Sequence, residues 1–164
     1  RSVQNRDVDF GIGVTVSASD CRFTPLRSDE MCALVSPSQY STKGDSIPAV
    51  NLIAMPLFLL SQATPTLVAL ETVARRNGRS LNLGHRFAQP QTMISMAAAG
   101  RGAAVLPRIF ISGMQYSGVR TLKITDPEIT RELAIISSAG VRWSAHAEAL
   151  ARVTQEVIKE HSAS

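Results

Sequence analysis

The stretch Gln91-Thr-Met-Ile-Ser-Met-Ala-Ala-Ala-Gly-Arg-Gly-Ala-Ala-Val-Leu-Pro107 decides the fold, because its residue order dictates a helix, a turn and a buried strand in succession. Thr92 can cap a short helix through its side-chain oxygen, and Met93, Ile94, Met96 and Ala97 supply an apolar face before Gly100 provides the left-handed residue that ends it. Gly102 allows a tight turn. Residues 103–106 then form an apolar run of the kind buried on both sides in a sheet, and Pro107 closes it by having no N–H for a ladder. A helix feeding a buried strand is half of an α/β layer. The pair Gly100 and Gly102 is not a dinucleotide-binding turn, since it follows a helix, precedes a strand and lacks the third glycine.

The preceding segments extend the layer. Residues 57–60 are a continuous apolar run suited to a buried parallel strand. A helix follows, with Thr64 as N-cap, Pro65 as its first residue, Leu67, Leu70, Val73 and Ala74 on one face, and Gly78 as terminator. Leu81, Leu83, His85 and Phe87 alternate as a strand, so the order is β-α-β-α-β, the pattern of a parallel sheet with covering helices. Nearer the N-terminus, residues 3–7 read as the tail of a helix and residues 8–14 as a strand. Residues 22–26 and 31–35 read as two strands parted by a turn at Arg27-Ser-Asp29. Polar residues 38–46 read as a surface loop, and residues 46–52 as holding a short helical turn. Beyond Pro107, the pattern predicts a short helix over 108–114, strands over 119–124 and 133–137, and a final helix. Ser144 caps that helix, with Ala147, Leu150, Ala151, Val157 and Ile158 on one face.

Length and composition agree with an ordinary globular chain. At 164 residues, 45% apolar and 18% charged, the sequence can bury a real core and carries no tract biased enough to be disordered or a linker. Its longest apolar run, residues 52–60, is broken by Pro56 and far shorter than the roughly 20 residues a bilayer span needs. The N-terminal residues are polar and do not read as a secretion signal. Cys21 and Cys32 read as reduced thiols, Cys32 as a small buried one, which fits a cytosolic protein. The net charge of +4 is spread out, with only Arg75 and Arg76 adjacent, and there is no basic helix interleaved with aromatics. These residues are therefore not expected to bind nucleic acid directly.

An enzyme or metal site should leave titratable residues at telling spacings. His85, His146 and His161 stand apart from one another and from the cysteines, so no zinc spacing exists. Neither a nucleophile elbow nor a phosphate-binding Gly-Lys-Ser/Thr loop occurs, and the Asp29-Glu30 pair reads as solvated charge beside a turn. What stands out instead is uncharged polar sequence before two helices, Ser61-Gln-Ala-Thr64 and Gln89-Pro-Gln-Thr92, at the C-terminal ends of expected parallel strands. That is the binding edge of an open α/β sheet, where free N–H groups and the helix dipole favour an anion.

Ala98-Ala-Gly100-Arg-Gly102-Ala-Ala-Val-Leu-Pro107 closely resembles the "V-A-A-G-x-G-[IV]-A-[LI]-L-P" signature of the effector-binding domain of LysR-type transcriptional regulators. The likeness covers nearly the whole chain. Asp7-Val-Asp9-Phe-Gly-Ile-Gly13 is similar to the family's "G-x-L-D-x-[AG]-[IL]" strand, and Phe23-Thr-Pro-Leu26 with residues 31–37 to its following pair of strands. Leu122-Lys-Ile-Thr-Asp-Pro127 and Leu133-Ala-Ile-Ile136 are similar to its return into the first subdomain.

The resemblance implies an α/β fold of two Rossmann-like subdomains with mainly parallel sheets, type 2 periplasmic-binding-protein-like, with the first subdomain incomplete. Subdomain I would combine residues 1–36 with 124–164, and subdomain II would span 37–123. Relative to the family, the sequence lacks the DNA-binding winged helix-turn-helix, the linker helix and the first strand and helix of subdomain I. The implied role is ligand sensing in transcription regulation. A small anionic or polar effector, bound between the lobes, would modulate DNA binding by a cytoplasmic homodimer or homotetramer that holds promoter DNA through the missing N-terminal domain. No enzyme activity, cofactor, metal or membrane is implied. A periplasmic-type solute receptor, or less closely an α/β enzyme, is the alternative. By position, effector contacts are expected from Gly13, Val14, Thr15, Ser61, Gln62, Thr64, Gln89, Gln91 and Thr92, and from Thr125 at the hinge. Gln89, Gln91 and Thr92 lead that set, whereas Val14 stands where some members carry a charged ligand-binding residue.

Overall fold

In a computed structural model the elements run, in chain order, β1 (Phe10–Val14), β2 (Cys21–Val35), β3 (Ser46–Pro48), α1 (Ala49–Leu52), β4 (Leu57–Leu60), α2 (Thr64–Arg76), β5 (Leu83–Phe87), α3 (Pro90–Ala98), β6 (Ala103–Pro107), α4 (Arg108–Ile111), β7 (Arg120–Thr125), β8 (Thr130–Ser138) and α5 (Ala145–Glu160). The structure describes all residues except 1, 4, 6, 17, 63, 113, 114 and 161–164, and leaves out the side chains of Thr64, Lys159 and Glu160. The chain divides into two units, Arg1–Asp29 with Arg131–Ser164, and Glu30–Thr130.

The second unit is built on the sheet order β3-β7-β2-β6-β4-β5. β4 runs parallel to β5 and β6, and β3 parallel to β7, while β2 lies antiparallel to both β6 and β7. Its central strands are buried on both faces. Ala33, Val35, Leu57, Leu59, Ala103 and Val105 join one core with α1 and α2, whereas Cys32, Leu34, Phe58, Ala104 and Leu106 join the other with α3. Two-sided burial is why these segments are unbroken apolar runs rather than alternating ones. Gly100 ends α3 with φ +67°, as its place in the sequence predicts. Gly102 is demanded by space: a Cβ there would overlap the Pro56 carbonyl oxygen and come within 2.9 Å of the Phe58 ring.

Several sequence-based expectations are corrected. Residues 21–35 are one strand, not two, because Arg27-Ser28-Asp29 contains no turn-forming glycine or proline and its carboxylate is held by β8. Asp29 is correspondingly not a solvated charge. It is 0% exposed, and Arg131 donates to its Oδ2 from Nε at 3.1 Å and from an Nη at 2.8 Å. Thr92 is not the cap of α3, which starts two residues earlier at Pro90 with Gln89 in the cap position. Proline is pre-set for the first helical turn, so it draws the start forward. The described residues among 2–7 form turns, with the Asp7 N–H donating to the Ser2 carbonyl at 2.9 Å, and no helix. Residues 46–48 are a short strand beside β7, leaving only Ala49–Leu52 as helix.

In the first unit β1 pairs antiparallel with β8, and β8 lies next to the first half of β2. Ser144 caps α5 as expected, its Oγ accepting from the Ala147 N–H at 3.2 Å. Ala147 and Ala151 are buried, but Leu150 and Val157 are exposed. At 3.6 residues per turn these two sit about 60–80° round the helix from Ala147, on its flank rather than its contact line. Neither Cys21 nor Cys32 is in a disulfide, and Cys32 is buried.

Candidate functional site

β4 and β5 are adjacent and parallel, with Leu60 opposite Phe87, so the segments leaving their C-terminal ends emerge side by side. The Ser61 N–H donates to the Phe87 carbonyl at 2.8 Å, which pins the first of these segments to the second. Ser61 and Gln62 are exposed after β4, and Gln89, Gln91 and Thr92 are exposed after β5. The structure therefore brings these five together at one sheet edge. The capping role expected of Thr64 rests on a side chain outside the described set.

No side chain caps α3: Gln89 holds the cap position in an extended conformation, φ −116° and ψ 127°, without a side-chain hydrogen bond to the helix. The first-turn N–H groups of Gln91 and Thr92 thus keep their intrahelical vacancy, Pro90 having no N–H to offer. Uncapped donors with uncharged amides and a hydroxyl suit a carboxylate or a hydroxylated ligand, orienting it by hydrogen bonds without requiring a counter-charge.

Arg86 was not legible as part of this edge. Its guanidinium donates to the Ser61 carbonyl, while its buried Nε makes no hydrogen bond. It fastens the Ser61–Gln62 turn and adds positive charge beside it. The only hint in the sequence is an arginine placed one residue before a strand end, facing away from the His85 and Phe87 side chains, whose rings meet edge-on with centroids 4.6 Å apart.

Thr125 ends β7 on the same sheet edge, but β2 and β6 lie between β7 and β4. At about 4.8 Å per strand that is roughly 14 Å from Ser61, so a single-ring ligand does not span both. Gly13, Val14 and Thr15 belong to the first unit. There Gly13 leaves 3.0 Å between an added Cβ and Ile136 Cδ1, and the Thr15 N–H donates to the Glu132 carbonyl at 2.9 Å.

Charge concentrates around Glu30, at the β2 residue that opens the second unit. Glu30 meets Arg108 Nε at 3.0 Å and Lys123 Nζ at 3.5 Å, and Lys123 meets Glu128 at 2.7 Å. Partial burial pushes the Glu30 carboxyl up, yet Arg108 and Lys123 outweigh it and hold it below the ordinary glutamate value. The Glu128 hydrogen bond, opposed by desolvation, holds Lys123 above the ordinary lysine value. A depressed folded-state value means that the Glu30 contribution is complete above the ordinary carboxylate range and is lost as pH falls through the depressed one. Glu30→Gln is expected to lose under about 1 kcal/mol at neutral pH, as a half-exposed pair should. Its Tm should also fall less steeply than the parent's below about pH 4.5. Parallel Tm-against-pH curves for the two chains would rule this out.

Among the described residues no group of three or more His, Cys, Asp or Glu side chains could hold a metal ion, and no helix is long and apolar enough to cross a membrane. Over residues 1–159 the sequence matches the model of the LysR substrate binding domain. The chain belongs to that family. As a LysR substrate binding domain it is 26% identical over 156 residues to the uncharacterized HTH-type transcriptional regulator YfeR of Shigella flexneri. That match takes in 94% of this chain and 50% of YfeR, so the chain spans about half the length of this curated relative. The effector binding domain of QuiR in complex with shikimate superposes with a TM-score of 0.81 at 20% identity, over 98% of this chain and 76% of that one. The Synechocystis PCC6803 CcmR regulatory domain in complex with 2-PG gives 0.79 at 16%, over 96% and 77%. These likenesses show the type 2 periplasmic-binding-like fold.

Proposed function

We propose that this chain is the sensor of a transcriptional regulator, binding a small anionic or polar metabolite without turning it over. The observation that carries the reading is the pairing of two strand ends. Exposed Ser61 and Gln62 lie beside exposed Gln89, Gln91 and Thr92 at an α3 N-terminus that no side chain caps. Shikimate, the ligand of the QuiR domain, is a hydroxylated carboxylate, the chemistry this edge accepts. Ser61, Gln62, Thr64, Gln89, Gln91 and Thr92 are the contacts proposed in the second unit, with Gly13, Val14 and Thr15 proposed from the first and Thr125 as a more distant contributor. Binding shifts the balance between arrangements of the longer protein, a cytoplasmic homodimer or homotetramer, and so alters its hold on promoter DNA through a domain outside this chain.

The test is a thermal-shift comparison with shikimate, 2-PG and other small carboxylates. A ligand at a hundred times its Kd should add about 2.7 kcal/mol, roughly 5–10 °C in Tm for a chain of this size. Gln91→Ala and Thr92→Ala should each cut that shift at least by half. A shift that both variants leave whole would displace the site, and turnover of the ligand would end the sensor reading.

A further inference from the structure

A cavity lies wholly within the first unit, built by the connection from β8 to α5. The Ala139 N–H donates to the Asp20 carbonyl at 2.9 Å, and Gly140, at φ +76°, turns the chain so that Arg142 and Trp143 line a cavity with Arg22 and Thr24 of β2. Two-residue spacing puts Arg22 and Thr24 on one face of their strand. Glu148, in the first turn of α5, completes the lining. The space is about 830 Å³, ample for one ring and its ordered water.

The chemistry of the lining is selective. Arg22 and Arg142 form no ion pair among the described residues, whereas Arg108, Arg120 and Arg131 are each matched to a carboxylate. Glu148 shares the cavity without pairing to either arginine. Two guanidinium groups and one carboxylate leave a net charge of +1, which balances a single carboxylate better than a doubly charged phosphate. Trp143 offers an indole surface backed by Phe10, the ring centroids 5.4 Å apart. A planar ring stacks there at little entropic cost. The Glu148 carboxylate can only accept, so it calls for an O–H or N–H on the ligand.

We propose that this cavity binds a planar aromatic monocarboxylate that carries a hydrogen-bond donor on the ring away from its carboxylate. Arg22 and Arg142 take the carboxylate, Trp143 the ring face and Glu148 the donor. The site is separate from the edge at Gln89, Gln91 and Thr92 and does not depend on that edge binding anything.

Trp143 is the chain's single tryptophan, so its emission reports the surroundings of this one side chain, and the arginine variants tie any change to the cavity. The experiment titrates the whole chain with 4-hydroxybenzoate, excited at the red edge of the indole band, and repeats it with acetate and with phenol. A saturable change is expected, with a midpoint at least about tenfold below either control, as one added charge-assisted hydrogen bond or a stacked ring implies. Arg22→Gln and Arg142→Gln should each raise the midpoint about tenfold, with circular dichroism showing the parent's fold. Arg142→Lys should fall between, and Thr92→Ala should leave the titration where it was. The proposal is overturned by a linear, unsaturable response, by arginine variants that bind like the parent, or by acetate doing as well as 4-hydroxybenzoate. A midpoint raised by Thr92→Ala would equally overturn it, since the ligand would then sit at the other edge.

Discussion

Asp29→Ala is expected to destabilise the chain by about 3–5 kcal/mol, the cost of removing one partner from a buried ion pair. The side chain is 0% exposed and Arg131 is only 15% exposed, so water cannot take over when the carboxylate is gone. Arg131 approaches Oδ2 from both Nε and an Nη, and losing that oxygen strips two charge-assisted hydrogen bonds at once. These residues also tie β2 to β8 where both strands reach the end of the first unit, so the penalty falls on a ladder as well as a pair. Urea unfolding should show a lower midpoint at an unchanged slope. The double variant Asp29→Leu with Arg131→Met should recover much of the loss, because an apolar pair of similar volume carries no unmatched charge. A single-variant loss under about 1 kcal/mol would mean that the pair is solvated in practice.

The second large effect is expected at Gly102. In Gly102→Ala the new methyl meets the Pro56 carbonyl oxygen, which also accepts the Ala103 N–H at 2.9 Å, and the Phe58 ring at 2.9–3.0 Å. Phe58 is 4% exposed and packs edge-on against Phe87, so it has nowhere to swing. Relief must come from parting β6 from the chain entering β4. We expect a loss of about 3 kcal/mol, at the upper end for an overpacked core, read by urea or thermal unfolding. Gly78→Ala is the control for backbone strain without crowding: its φ is +62°, in the left-handed region, and nothing lies within 4 Å, so only the backbone penalty of about 1 kcal/mol applies. Equal losses at the two glycines would show that crowding at residue 102 is not the cause.

These two positions mark where sequence reasoning succeeds and where it stops. Gly102 could be singled out as a turn residue because it stands between a helix end and an apolar strand, although the crowding by Pro56 and Phe58 that demands a glycine there comes from a distant segment. The runs 57–60 and 103–107 were equally legible, since burial on both faces leaves an unbroken apolar signature. Asp29 was misread because its partner lies 102 residues away, and nothing in Arg27-Ser28-Asp29-Glu30 announces it. The same limit applies to Arg86, whose partner is a backbone carbonyl that composition cannot display. The start of α3 was misplaced by three residues, the cap falling at Gln89 rather than Thr92, because Thr92 and Pro90 are both strong N-terminal signals, and proline's fixed φ prevailed. The polar edge itself was read from residue type and position, and the pairing of β4 with β5 sets its parts side by side. The Arg22–Trp143 cavity was invisible for the Asp29 reason, being assembled from two distant segments.

Interruption of the first unit by the whole of the second sets an order in time. Residues Glu30–Thr130 are one continuous segment whose strands find partners nearby, while β1 and β2 wait for β8, more than a hundred residues later, before their sheet can close. Closing so long a loop is entropically slow, and slower still when the partner has not yet been made. As the chain leaves the ribosome, the second unit can therefore be complete while Phe10, Phe23 and Leu26, half-buried in the finished fold, are still uncovered, and that interval is when a chaperone would find this protein.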